Sequence, residues 1–124
     1  MDHNNLSNTI HGKAGKLPFT PERIGSHWDG KVQVDVVAIN FKTHHILLGE
    51  CKWGADRVDR QVIREMLDRK TPLVLASLPE GGKDWQVSYA FFARTGFTDA
   101  AHHAAAGAFL VDLAELDRTL RTDP

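Results

Sequence analysis

The 124-residue chain has a single cysteine, Cys51, so no intramolecular disulfide can staple it and a reducing compartment suits it. It also lacks an excess of either charge. Fifteen Lys and Arg stand against sixteen Asp and Glu, a formal net charge of −1, which excludes a molecule-wide basic field of the kind that gathers nucleic acid. Any contact with a polyanion has to be local. Long apolar runs are missing as well: none approaches the roughly 20 residues of a membrane span, and the polar opening Met1 to Ser7 lacks the apolar centre of a signal peptide. A cytoplasmic protein with no membrane partner is the expectation. What remains, 42% hydrophobic and 25% charged residues, is the composition of one soluble globular domain.

Residues 1–21 are polar and broken by Gly12, Gly15, Pro18 and Pro21, and read as a mobile or loosely docked entry segment ahead of a domain over 22–124. Order is expected from about Ile24, with a hairpin turn at Asp29-Gly30. Val32-Gln-Val-Asp-Val-Val-Ala-Ile39 and His45-Ile-Leu-Leu-Gly-Glu-Cys-Lys-Trp53 read as two strands, and the short polar turn at Asn40 to His44 predicts antiparallel pairing. Val58, Val62, Ile63, Met66 and Leu67 recur at spacings of three and four, which predicts a helix over 57–70, capped by Asp56 and stopped before Thr71-Pro72. A buried strand is expected over Leu73 to Leu78, then a strand from Trp85 to Arg94. A short alanine-rich helix capped by Thr98 or Asp99, a strand at Phe109 to Val111 and a helix from Leu113 to Leu120 complete an α/β fold with a mixed sheet.

Three charged residues lie inside the apolar strands: Asp35, Glu50 and Lys52. Burying a charge costs several kcal/mol unless it is paired or holds a metal, so these positions need a reason. Glu50 and Lys52 share one strand face and Cys51 points the other way, while antiparallel pairing brings Asp35 within a residue or so of Glu50. Two carboxylates and the peptide carbonyl of Cys51 are hard oxygen donors of the kind that hold Mg²⁺ or Mn²⁺ with several waters retained. Lys52 beside them can orient a water and offset charge on a phosphodiester in the transition state. The chemistry implied is phosphodiester hydrolysis.

Asp35 followed by Glu50-Cys-Lys52, each in an apolar strand, resembles the Asp…Glu-x-Lys core of the PD-(D/E)xK nuclease superfamily, the restriction-endonuclease-like fold. The words Ile24-Gly-Ser-His-Trp28, Val34-Asp-Val-Val-Ala38, Leu48-Gly-Glu-Cys-Lys-Trp53, Phe92-Ala-Arg-Thr-Gly-Phe-Thr98 and Val111-Asp-Leu113 are similar to the nuclease-like C-terminal domain of archaeal and bacterial AAA-type ATPases. The resemblance implies a restriction-endonuclease-like mixed sheet flanked by helices, a divalent ion on Asp35, Glu50 and the Cys51 carbonyl, and Lys52 as the catalytic lysine. It further implies Gln61 as a supporting catalytic residue on the next helix, DNA as substrate and an ATPase as partner. The chain departs from the resemblance at its start. Gly- and Pro-broken sequence stands where relatives have a helix with a supporting glutamate, Glu22 lies near that place, and Gln33 stands where a second acid is usual. The sheet face that such a helix would cover is then left exposed, to be covered by a homodimer or by domain exchange. The rival expectation is a non-catalytic DNA-binding or assembly domain.

Other signals read as structure. Trp28 and Trp53 are expected to pack at the sheet rim, and Arg57, Arg60, Arg64, Arg69 and Lys70, interleaved with acids, to form a solvated helix face. The pairs His44-His45 and His102-His103 are expected at the surface, which leaves His27 as the histidine nearest the candidate site.

Overall fold

The computed structural model describes residues 17–116. Two Asx-type turns fold its first three strands into an antiparallel meander. Asp29 Oδ1 accepts the backbone N–H groups of Lys31 (2.7 Å) and Val32 (2.9 Å), which closes the hairpin between β1 (Arg23–Trp28) and β2 (Gln33–Asn40). Those two donors, helped by His27, hold the Asp29 carboxyl below its ordinary range against a smaller opposing effect of desolvation. Asn40 repeats the device: its side-chain oxygen accepts from Lys42 and Thr43 at 2.9 and 3.0 Å, and β3 (His45–Lys52) returns along β2. Ala38 pairs with Leu47 and Ile39 with Ile46, in the antiparallel pairing that the short turn predicts.

From β3 the chain crosses over to β4 (Gln86–Ala93), which lies parallel to it, and β5 (Phe109–Asp112) lies parallel to β4. The result is a five-stranded mixed sheet in the order β1-β2-β3-β4-β5, an α/β fold. Its core has two parts. Ile46, Leu48 and Phe91 on one face pack against Ile63, Met66, Val74 and Ala101 of the helices. On the other face Ala38, Leu47, Ala90, Phe92 and Val111 are buried, with Leu17, Phe19, Leu113 and Leu116 packed on them. Segments of the chain itself thus pack on both faces of the sheet.

The crossover is where the structure departs most from expectation. No strand forms over 73–78. Helix instead runs on from α1 (Arg60–Arg64) through a π-helical turn (Glu65–Lys70) into α2 (Thr71–Ala76). Pro72 ends an α-helix because it has no N–H to give and its ring meets the carbonyl four residues back. Here Pro72 stands in the first turn of α2, where the missing N–H is tolerated, and a π turn widens the helix just ahead of it: the Thr71 N–H and its Oγ1, the latter at 2.7 Å, both reach the Met66 carbonyl five residues back. The Tyr89 hydroxyl of β4 stands 3.0 Å from Thr71 Oγ1, which anchors this turn to the sheet.

The helix also starts later than expected. Val58 makes a parallel bridge with Phe97, through Val58 N–H to Gly96 O (2.9 Å) and Thr98 N–H to Val58 O (3.0 Å), so Val58 lies outside the helix. Asp59 rather than Asp56 is the N-cap. Its carboxyl is held below the ordinary range by the Thr98 hydroxyl and then by the Arg60 N–H. Thr98 in turn caps α3 (Asp99–Ala104), accepting from Ala101 N–H at 3.1 Å. Of the entry segment 1–21, residues 1–16 lie outside the described residues, and of the last helix only 113–116 lie within them, helical and capped by Asp112. Among the described residues no helix is long and apolar enough to cross a membrane.

Ile63 is fully buried (0% exposed) between the helix and the sheet, whereas Arg64 forks onto Asp68 at 3.0 Å in open solvent. Ile63→Ala is expected to cost about 3 kcal/mol in urea unfolding, and Arg64→Ala no more than about 0.5 kcal/mol. Equal effects would contradict this account of the core.

Candidate active site at the carboxyl end of the third strand

Strand alternation sets the site. Ile46 and Leu48 pack toward the helices, so Glu50 and Lys52 project to that same face, and Cys51 packs with the opposite cluster. At the end of β3 the apolar cover stops and a pocket of about 290 Å³ opens between strand and helix, lined by Glu50, Lys52, Gln61, Val62, Glu65, Arg69 and Lys70. Three of the four expected catalytic residues, Glu50, Lys52 and Gln61, thus share one pocket. It lies at the carboxyl end of a parallel strand, where α/β sheets usually carry their ligand sites.

Asp35 does not line that pocket. Its carboxylate Oδ2 accepts the Cys51 N–H at 2.9 Å, taking the part of a ladder carbonyl just beyond the last β2–β3 pair, Val36 with Gly49. A bulge permits this. Gly25 pairs with Val37 and His27 with Val34, so Asp35 and Val36 together stand opposite the single Ser26. Such a bulge re-aims a side chain, and next to functional sites it is a frequent device. Asp35 therefore reaches the peptide unit next to Glu50. The Cys51 thiol registers both acids: it is pushed above its ordinary range first by burial, then by the charge of Asp35, then by that of Glu50.

Glu50 is 8% exposed and is held between two ammonium groups. Lys70 Nζ donates to its Oε1 at 3.0 Å, and Lys52 Nζ lies 3.5 Å from Oε2. The two lysines differ in freedom, since the Lys70 side chain is 12% exposed and that of Lys52 46%. Lys70 thus leaves the solvated helix face that its charged neighbours predict. The sequence did carry a signal for it: Lys70 stands four residues after Met66 and seven after Ile63, on the buried stripe rather than off it. Arg64 with Asp68, and Arg69 with Glu65, are the solvated pairs expected.

The donor set fits a hard divalent cation. Among the described residues no three His, Cys, Asp or Glu side chains gather as a metal cluster, so an ion here would draw on Asp35, Glu50, the Cys51 carbonyl and water. That partly hydrated shell suits Mg²⁺ or Mn²⁺ and argues against zinc on the lone thiol. His27 stays apart, with Nε2 3.4 Å from the Asp29 carboxylate. His44 stacks on Trp85 and His45 on Phe19, at ring separations of 5.1 and 5.2 Å. Trp53 does not pack as expected: it is 66% exposed, directly after Lys52.

Comparison with known proteins adds one finding. The model of the family DUF234, described as archaeal and bacterial proteins of unknown function, matches residues 6–69, just over half of the chain and the part that holds Asp35, Glu50, Lys52 and Gln61. No curated protein and no solved structure matches.

Breaking the inner ion pair from one side leaves a buried charge alone. Glu50→Ala is expected to cost about 3 kcal/mol or more in denaturant unfolding, and the double variant Glu50→Ala/Lys70→Met to recover most of that loss. Additive losses in the double variant would mean that the two side chains do not act as a pair.

Proposed function

The chain belongs to that archaeal and bacterial family, and because membership brings no activity with it, we propose from the site itself that the protein is a Mg²⁺- or Mn²⁺-dependent DNA endonuclease of the PD-(D/E)xK kind. The observation that carries the reading is the convergence of Glu50, Lys52 and Gln61 on one pocket, with the Asp35 carboxylate fixed on the peptide unit between Glu50 and Lys52. The mixed sheet agrees with the architecture that the motif implies.

Each residue then has a task its position suits. Asp35 and Glu50, with the Cys51 carbonyl, would hold the ion. The ion supplies, when bound, a Lewis acid that lowers the pKa of a water and offsets phosphate charge. Lys52, half in solvent and 3.5 Å from Glu50, can turn its ammonium toward the attacking water or the phosphate without leaving a buried group unpaired. Gln61, exposed on the first turn of α1, can hold a water or a phosphate oxygen by its amide. The pocket lining sets three cations, Lys52, Arg69 and Lys70, against two acids, Glu50 and Glu65, a small positive excess for a phosphate to meet in a nearly neutral chain. Exposed Trp53 adds an aromatic face on which an unpaired base can stack.

A second reading is a nuclease-derived module that binds DNA beside an ATPase without cutting it. The ion pair of Lys70 on Glu50 favours it, because it engages one oxygen that a metal would use.

Supercoiled plasmid separates the two readings. With Mg²⁺ or Mn²⁺ the protein is expected to nick it, with Asp35→Ala and Lys52→Ala each lowering the rate at least about 100-fold. Equal cutting by all three proteins would identify a contaminating nuclease, and a DNA mobility shift without cutting would favour the second reading.

A further inference from the structure

We propose that Lys70 is a built-in competitor of the divalent cation at Glu50, so that the ion gains Glu50 Oε1 only as the lysine leaves it. The inference deepens the metal-site reading above and rests on it. Its basis is the inner ion pair. Lys70 Nζ stands 3.0 Å from Oε1, and both side chains are nearly buried. A cation coordinated by Oε1 would lie close against that ammonium. Lys52 imposes no such conflict, since it meets the other oxygen at 3.5 Å from a half-exposed position and can turn into solvent.

Formal charge points the same way. Asp35 and Glu50 carry two negative charges, and Lys52 and Lys70 carry two positive ones, so the acids offer a divalent ion little net attraction while both lysines face them. Moving Lys70 off Glu50 restores it. The lysine has somewhere to go because it closes the π turn and lines the same pocket as Glu65 and Gln61. Its ammonium, once turned into the pocket, faces the space in which a phosphodiester would lie. Glu65 is not a ready exchange partner, because Arg69 already holds its carboxylate. A phosphate oxygen is the remaining acceptor of matching charge. Lys70 would therefore pass from Glu50 to the phosphate as the ion binds, coupling metal uptake to polyanion binding.

Calorimetric titration of the whole chain with Mn²⁺ alone tests the claim, comparing wild type, Lys70→Met and Glu50→Gln. Lys70→Met is expected to bind Mn²⁺ at least about tenfold more tightly than wild type, and Glu50→Gln to lose binding. Unchanged or weaker binding by Lys70→Met, beside clear binding by wild type, would overturn the competition and leave the metal site standing. Absence of binding in wild type and Lys70→Met alike would overturn both. A second measurement needs no variant: in wild type, reductive methylation followed by peptide mass spectrometry should find Lys70 protected without Mn²⁺ and several-fold more reactive with it. Protection that saturating Mn²⁺ leaves unchanged would overturn the competition in the native protein.

Discussion

A carboxylate buried in an apolar sheet is the constraint around which this molecule is arranged. Glu50 lies at 8% exposure at the end of a strand whose preceding residues, Ile46, Leu47 and Leu48, are wholly inside. An uncompensated charge there would cost several kcal/mol, a large part of what a domain of this size has to spare. Two lysines offset it, one from the same strand and one from the helix, and the Asp35 carboxylate beside them is satisfied by the Cys51 amide. The helix is bound into the same arrangement. Its π turn sets Thr71 on Tyr89 and Lys70 on Glu50, so the irregular part of the helix is also the part that touches the charged end of the sheet. π turns are frequent at functional sites.

Much of this was legible because it depends on short-range chemistry. The β2–β3 hairpin follows from a β-branched run, a polar turn and a second apolar run, and its antiparallel pairing from the shortness of the turn. The sharing of one face by Glu50 and Lys52 is strand alternation and nothing more. The fourth and fifth strands and the Thr98 cap are equally local.

What escaped is what the third dimension decides. Leu73-Val-Leu-Ala-Ser-Leu78 after Thr-Pro has every local mark of a buried strand, yet helix runs through Ala76, with Pro72 in the first turn of α2, where its missing N–H is tolerated, just after a widened turn. The first strand, Arg-Ile-Gly-Ser-His-Trp, has little β-preference of its own and is held by pairing with β2. Asp35 was recognised, but the bulge that turns it onto the Cys51 amide cannot be read from an unbroken Val-Asp-Val-Val run. Lys70 is the instructive case. Periodicity alone places it on the buried stripe, and its charged neighbours Arg69 and Asp68 drew the reading outward.

The observed use of the Glu50 carboxylate is as the partner of an inner lysine; the use we propose for it is as a ligand that shares a hard cation with Asp35. The most direct test is a crystal grown with Mn²⁺ and measured at the manganese absorption edge. The account predicts an anomalous peak about 2.1 Å from oxygens of Asp35, Glu50 and the Cys51 carbonyl, with Lys70 Nζ withdrawn from Oε1. A map without manganese at these oxygens, and with Lys70 still bonded to Glu50, would contradict it.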